Sequence, residues 1–146
     1  MSFSLILASY AGGSPIKPIA MTINRLIPNI CSDLLTESKQ FYTELLGFAL
    51  AHESDWYVQV TSPQDPHLEL GFIKRDHELV PEPYRQLPQG MYLTIVLDDV
   101  DAIHTQAKSM GLEVLQPPQD EFYGQRRMLI TDPNGLLLDI STPIGK

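Results

Sequence analysis

The feature that most restricts the fold is an internal echo, because the second half of the chain repeats the first in the same order. At an offset of 66, Asp33 falls on Asp99 and Leu26 on Tyr92; at an offset of 70, Thr61, Pro63, Leu68, Glu69 and Leu70 fall on Thr131, Pro133, Leu138, Asp139 and Ile140. Matches at constant offset and constant order imply one supersecondary unit used twice, at a period longer than that of the common solenoids.

Each copy reads as a strand, a helix and three further strands. In the first, Ile23 to Cys31 is a β-rich run broken only by Pro28, which suits an edge or bulge. Asp33 offers an N-cap. Leu34, Phe41 and Leu45, with Leu35, Tyr42 and Leu46 beside them, recur as one buried stripe and predict a helix over 33–46, closed by Gly47. Phe48 to His52, Trp56 to Thr61 and His67 to Phe72 are the three strands. The second copy opens with the alternating run Met91 to Leu97, and Asp99 caps a helix predicted over 99–110 that ends at Gly111. Leu112 to Leu115, Arg126 to Thr131 and Leu136 to Thr142 follow, the last two joined by the hairpin turn Asn134-Gly135. The expected class is α+β: two βαβββ modules, 22–73 and 90–143, with a proline-rich linker over 74–89. Residues 1–20 read as a non-catalytic N-terminal arm to a single domain over 21–146; no Lys or Arg precedes Leu5-Ile6-Leu7-Ala8, so the charged start of a secretory signal is lacking.

A chain of 146 residues buries one core. Ten Lys and Arg against eighteen Asp and Glu give a net charge of -8. That balance argues against nucleic acid and against anionic membrane surfaces as partners. Cys31 stands alone, so no intrachain disulfide forms, and a reducing cytoplasm is the expected compartment. Nucleophile-elbow, phosphate-loop and dinucleotide motifs are absent from the sequence.

The pieces Asp33-Leu34, Phe41-Tyr42, Leu45 with Gly47-Phe48, Asp98-Asp99-Val100-Asp101-Ala102 and Asp132-Pro133-Asn134-Gly135, set on a duplicated frame, resemble the vicinal oxygen chelate superfamily. That group contains glyoxalase I, bleomycin-resistance proteins, fosfomycin-resistance enzymes and extradiol dioxygenases, and the resemblance is closest to the metal-independent, bleomycin-resistance-like members. It implies a cup-shaped half-open barrel, assembled as a homodimer. It also implies that the metal-ligand positions of the family fall on Leu26, Glu69, Tyr92 and Asp139. Leucine and a neutral tyrosine leave that set half empty, so no catalytic metal or other cofactor is expected; a divalent ion, if one binds, would use Glu69 and Asp139.

Strand alternation turns Glu69 and Asp139 away from the helices and into the cup, either as solvated carboxylates or as contacts to a substrate. They are also the candidate catalytic acid and base. Arg126 follows Tyr123-Gly124-Gln125, which resembles the Gly-x-Arg before a strand in bleomycin-resistance-like members; it would clamp a ligand or pair internally, with Arg127 on the opposite face. Tyr92 is expected in the cup, Trp56 and Tyr123 either stack on a planar ligand or pack, and His52 is the only histidine placed to reach it. Together these residues suggest a protein that binds a small organic molecule, planar and neutral to cationic, without an obligatory metal. The competing expectation is a metal-assisted lyase, epimerase or dioxygenase built on Glu69 and Asp139.

Overall fold

The computed structural model describes residues 15–145. Two four-stranded mixed sheets repeat one topology. In module 1, β1 (Asn29–Ser32), β2 (Ala49–Glu53), β3 (Tyr57–Thr61) and β4 (Glu69–Lys74) are ordered β1-β4-β3-β2. In module 2, β5 (Tyr92–Val96), β6 (Val114–Asp120), β7 (Gln125–Thr131) and β8 (Leu137–Pro143) are ordered β5-β8-β7-β6. The first strand of each module runs parallel to the last, and every other pairing is antiparallel. The duplication and the α+β class expected from the constant offsets are therefore present, as an open, cup-shaped pair of modules rather than a closed barrel.

The helices depart from expectation at one place. Module 2 has α2 (Val100–Ser109), with Asp99 accepting from the Ala102 N–H at 3.1 Å as its cap. In module 1 the single helix expected over 33–46 is a short α1 (Leu35–Gln40) that widens into a π-helical stretch over Phe41–Leu45. Asp33 does not cap it. Arg75 takes both Asp33 oxygens, at 3.1 and 2.8 Å, and the Ser32 hydroxyl accepts the Leu34 N–H instead. The wide turn presents Phe41, Tyr42 and Leu45 to the core together, all of them buried. Gly47 and Gly111 end the two elements in the left-handed region, at φ +73° and +72°, where a side chain would be strained.

The core lies between the helices and one face of each sheet. Val58, Val60, Leu70 and Phe72 from module 1 join Met128, Ile130, Leu138 and Ile140 from module 2. Polar contacts also tie the modules. The Tyr42 hydroxyl donates to Asp132 Oδ2 at 2.9 Å, and the Ser32 hydroxyl donates to Asn134 Oδ1 at 2.5 Å. Asn134 Nδ2 in turn donates to the Ser38 hydroxyl at 2.9 Å. The Asp132-Pro133-Asn134-Gly135 turn is thus a plug from module 2 into the α1 side of module 1. β6 is longer than the predicted Leu112 to Leu115: as an edge strand with register shifts near Gln116 it accommodates Pro117 and Pro118, because an edge leaves one side without required donors.

Among the described residues, no helix is long and apolar enough to cross a membrane. Residues 1–14 of the expected arm lie outside the described residues, and residues 15–28 run without regular secondary structure. Leu26 is therefore not in β1; it precedes the strand and is 76% exposed. Pro28, which lacks an N–H, marks the point before which pairing with β4 does not extend.

Candidate functional site

The face of each sheet opposite the helices is where the duplicated carboxylates stand. On β3 and β4 the residues alternating with the core are Tyr57, Gln59, Thr61, Glu69, Gly71 and Ile73; on β5, β7 and β8 they include Tyr92, Thr94, Val96, Arg127, Leu129 and Asp139. Side-chain alternation with period two assigns these faces once the core partners are known.

Glu69 is fully engaged. Arg25, from the irregular segment before β1, donates Nε to Oε2 at 3.0 Å and Nη2 to Oε1 at 2.6 Å, and Gln59 Nε2 donates to Oε1 at 2.6 Å. The bidentate hydrogen bonds from Arg25, with its charge, hold the Glu69 carboxyl below the usual range against the opposing effect of burial. Beside it the Tyr57 hydroxyl donates to Asn29 Oδ1 at 2.8 Å, directly over Gly71, where a Cβ would collide with both groups. Burial pushes the Tyr57 phenol up, so it stays a neutral donor.

Asp139 is held more loosely. The Thr94 hydroxyl donates to Oδ2 at 3.1 Å, and Arg127 Nε lies 3.3 Å from Oδ1. Arg127 Nε and Asp139 Oδ1 are buried, yet neither completes a hydrogen bond.

The expected faces of the two arginines are exchanged. Arg126 lies on the helix side of β7, where it pairs with Asp101 of α2 through Nε at 2.9 Å and Nη2 at 3.1 Å and with Asp120 at 3.0 Å. These bonds raise Arg126 and lower Asp101 in pKa. The apolar run Met128-Leu129-Ile130 conceals the alternation in the sequence; only the burial of Met128 and Ile130 shows that even positions face the core. The other candidates scatter. Tyr92 starts β5 on the concave side and is half exposed. His52 is opposite Gln59, its ring 6.3 Å from that of Tyr57. Trp56 stacks on His77 of the linker at 4.0 Å, and Tyr123 packs edge-on against exposed Phe122 in the β6–β7 turn. No hydrogen bond or ion pair among the described residues joins Glu69 to Asp139.

A groove of about 520 Å³ runs along the seam between the modules, lined by Leu26, Phe48, Leu68, Glu69, Leu93 and Thr94 among others, and one of about 400 Å³ lies at Tyr92 and Leu137. Both fall in the size range of small-molecule sites. The metal-ligand positions implied by resemblance do not suit a divalent ion: Glu69 and Asp139 are each met by a guanidinium, Leu26 has no donor, and the described residues contain no group of three or more His, Cys, Asp or Glu placed to hold one. Arg25 and Gln59 were not singled out from sequence, and Arg127 was named only as facing away from the cup. A segment without periodicity gives no signal for Arg25, and the apolar run after Arg127 hides which phase of β7 faces the core.

Comparison with known proteins gives one family. Residues 22–140 match the model of the Glyoxalase/Bleomycin resistance protein/Dioxygenase superfamily. Among solved structures, a superfamily member from Sphaerobacter thermophilus DSM 20745 is 17% identical, with a TM-score of 0.70 over 83% of this chain and 98% of its own. TnmS3, an antibiotic binding protein from Streptomyces sp. CB03234, is 22% identical, with a TM-score of 0.66 over 86% and 99%. A family enzyme from Burkholderia phytofirmans PsJN is 17% identical, with a TM-score of 0.70 over 81% and 97%. The search of curated proteins returned no match.

Proposed function

The chain belongs to the glyoxalase/bleomycin resistance protein/dioxygenase superfamily, and from that premise we propose that it binds a small organic molecule on its concave face without an obligatory catalytic metal. The observation that carries this reading is that each of the two duplicated carboxylates is met by an arginine of its own module, Arg25 on Glu69 and Arg127 on Asp139. A divalent ion would have to displace both guanidinium groups, and the histidine that lines the seam groove beside Glu69, His67, would still leave it short of a full donor set. The same pairing changes the expected ligand. Two free carboxylates would favour a cation, whereas two paired ones leave the concave face near neutrality. The seam is largely apolar, which suits a planar organic body. TnmS3, which shares this fold, is described as antibiotic binding, and ligand sequestration of that general kind fits a concave face whose two carboxylates are each paired with an arginine.

A homodimer, in which edge strands cover one another, and residence in a reducing cytoplasm belong to the same proposal. The test is elemental analysis and native mass spectrometry of the purified protein, followed by a thermal-shift screen of neutral planar molecules with and without added zinc, nickel, iron and manganese. Expected are substoichiometric metal, a mass near twice the 16.4 kDa chain, and midpoints raised by organic ligands and not by metals. One tightly held metal per chain overturns the metal-free reading.

A further inference from the structure

The two halves of the concave face are not equivalent, although their backbones repeat. Module 1 is filled by its own chain from both ends. Arg25 covers Glu69, the Tyr57–Asn29 bond covers Gly71, and the linker residues Leu79, Val80 and Pro81 line a recess with Asn29, Tyr57 and Ile73. Module 2 carries no such cover among the described residues. Tyr92 and Val96 on β5 are more than half exposed, and among the described residues no side chain of 15–28 or of the linker is hydrogen-bonded to Thr94, Arg127 or Asp139.

Within that open half, hydrogen-bonding capacity is left over. The Arg127 guanidinium donates none of the side-chain hydrogen bonds found among the described residues; its side chain is 23% exposed while that of Asp139 is 9% exposed. The outer guanidinium nitrogens are thus the reachable part of a pair whose charges cancel. A group that accepts hydrogen bonds without bringing a charge satisfies these donors; an ion entering beside the pair would leave one charge uncompensated in a half-buried place.

Register sets the length. Arg127 and Val96 share the row of Ser141, Leu129 and Thr94 share that of Asp139, and Tyr92 shares that of Leu137. At about 3.3 Å per residue the three rows span about 13 Å. Thr94 belongs both to this face and to the seam groove, so the two are continuous.

We propose that the ligand occupies the module 2 half, with an uncharged carbonyl-type acceptor on the Arg127 guanidinium and a planar body lying over Leu129 and Thr94 toward Tyr92. This rests on the small-molecule reading above and adds the half-site and the chemical class of the head group. The experiment uses three probes with one ring and three heads: 1-naphthamide, 1-naphthoate and 1-naphthylmethylammonium, titrated calorimetrically into the full chain. The amide is expected to bind about tenfold or more tightly than either ion, the scale of one hydrogen bond to a charged donor. Arg127→Gln is expected to abolish that preference and Arg126→Met to preserve it. In wild-type protein the amide should shift the Arg127 Nε–H resonance and leave that of Arg126 in place, a readout that does not depend on the variants folding. Equal binding of all three probes, or shifts confined to Arg25, Gln59 and Tyr57, overturns the head-group and half-site assignment while leaving small-molecule binding intact. If none of the three binds and the neutral-molecule screen also finds nothing, both readings fall.

Discussion

Replacing Asp132 by alanine should cost more stability than any other single polar substitution in the module junction. Asp132 is 4% exposed and accepts from the Tyr42 hydroxyl at 2.9 Å, the Asn134 N–H at 2.8 Å and the Leu136 N–H at 2.9 Å. Truncation strands three donors in a place water reaches poorly, and a buried donor left without an acceptor costs about 1–3 kcal/mol. Against this stands the relief of an ionised group whose carboxyl is pushed up chiefly by burial, with hydrogen bonds from Leu136, Tyr42 and Asn134 only partly offsetting it. A net loss of about 3 kcal/mol is expected, or about 10 °C in midpoint for a domain of this size.

Tyr42→Phe removes one donor together with its bond and should cost about 1 kcal/mol alone; in the Asp132→Ala background it should cost almost nothing, because the stranded hydroxyl goes with it. Urea denaturation at pH 7, followed by circular dichroism for the wild type, both single variants and the double variant, closes the cycle. The pH dependence has a definite sign. A carboxyl raised on folding contributes stability that is complete below the unfolded value of 3.8 and declines as pH climbs through the raised folded value, so the gap between wild type and Asp132→Ala should narrow upward from about pH 4. A loss below about 1 kcal/mol, or strict additivity with Tyr42→Phe, would show that the turn does not fasten the modules.

Glu69 behaves in the opposite sense. Arg25 lowers its carboxyl, so the pair's contribution is present above the ordinary value of 4.5 and disappears as pH falls through the lowered one. Carbon-detected titration should show Glu69 ionising below 4.5 in the wild type and higher in Arg25→Gln, with an unchanged titration counting against the clamp. Gly71→Ala should cost about 1–2 kcal/mol by forcing the Tyr57–Asn29 bond apart, seen as a lower urea midpoint; a neutral result would mean that the two side chains move aside freely. Trp56 is the only tryptophan, and His77→Ala should red-shift its emission by removing the stacked ring, whereas an unchanged spectrum would place the linker elsewhere.

The duplicated unit, the class of fold, the Asp99 cap and the glycine helix ends were legible in the sequence because each follows from local rules. Periodicity, capping chemistry and positive φ act within a few residues. The placement of Glu69 and Asp139 opposite the helices was read by the same means, since constant offset and alternation both operate along the chain. What their surroundings are is another matter. Arg25 reaches Glu69 across 44 positions from a segment with no pattern of its own, and Asp132 meets Tyr42 across 90. Leu26 left its expected strand because pairing with β4 begins only after Pro28, and Arg126 and Arg127 exchanged faces because a continuous apolar run fits either phase of a strand. The charge of the concave face, and with it the kind of ligand it suits, therefore came from tertiary pairing. A carboxylate's partner is whatever folding brings within about 4 Å, and in this chain that partner is set by register and by the path of irregular segments, neither of which a one-dimensional period encodes.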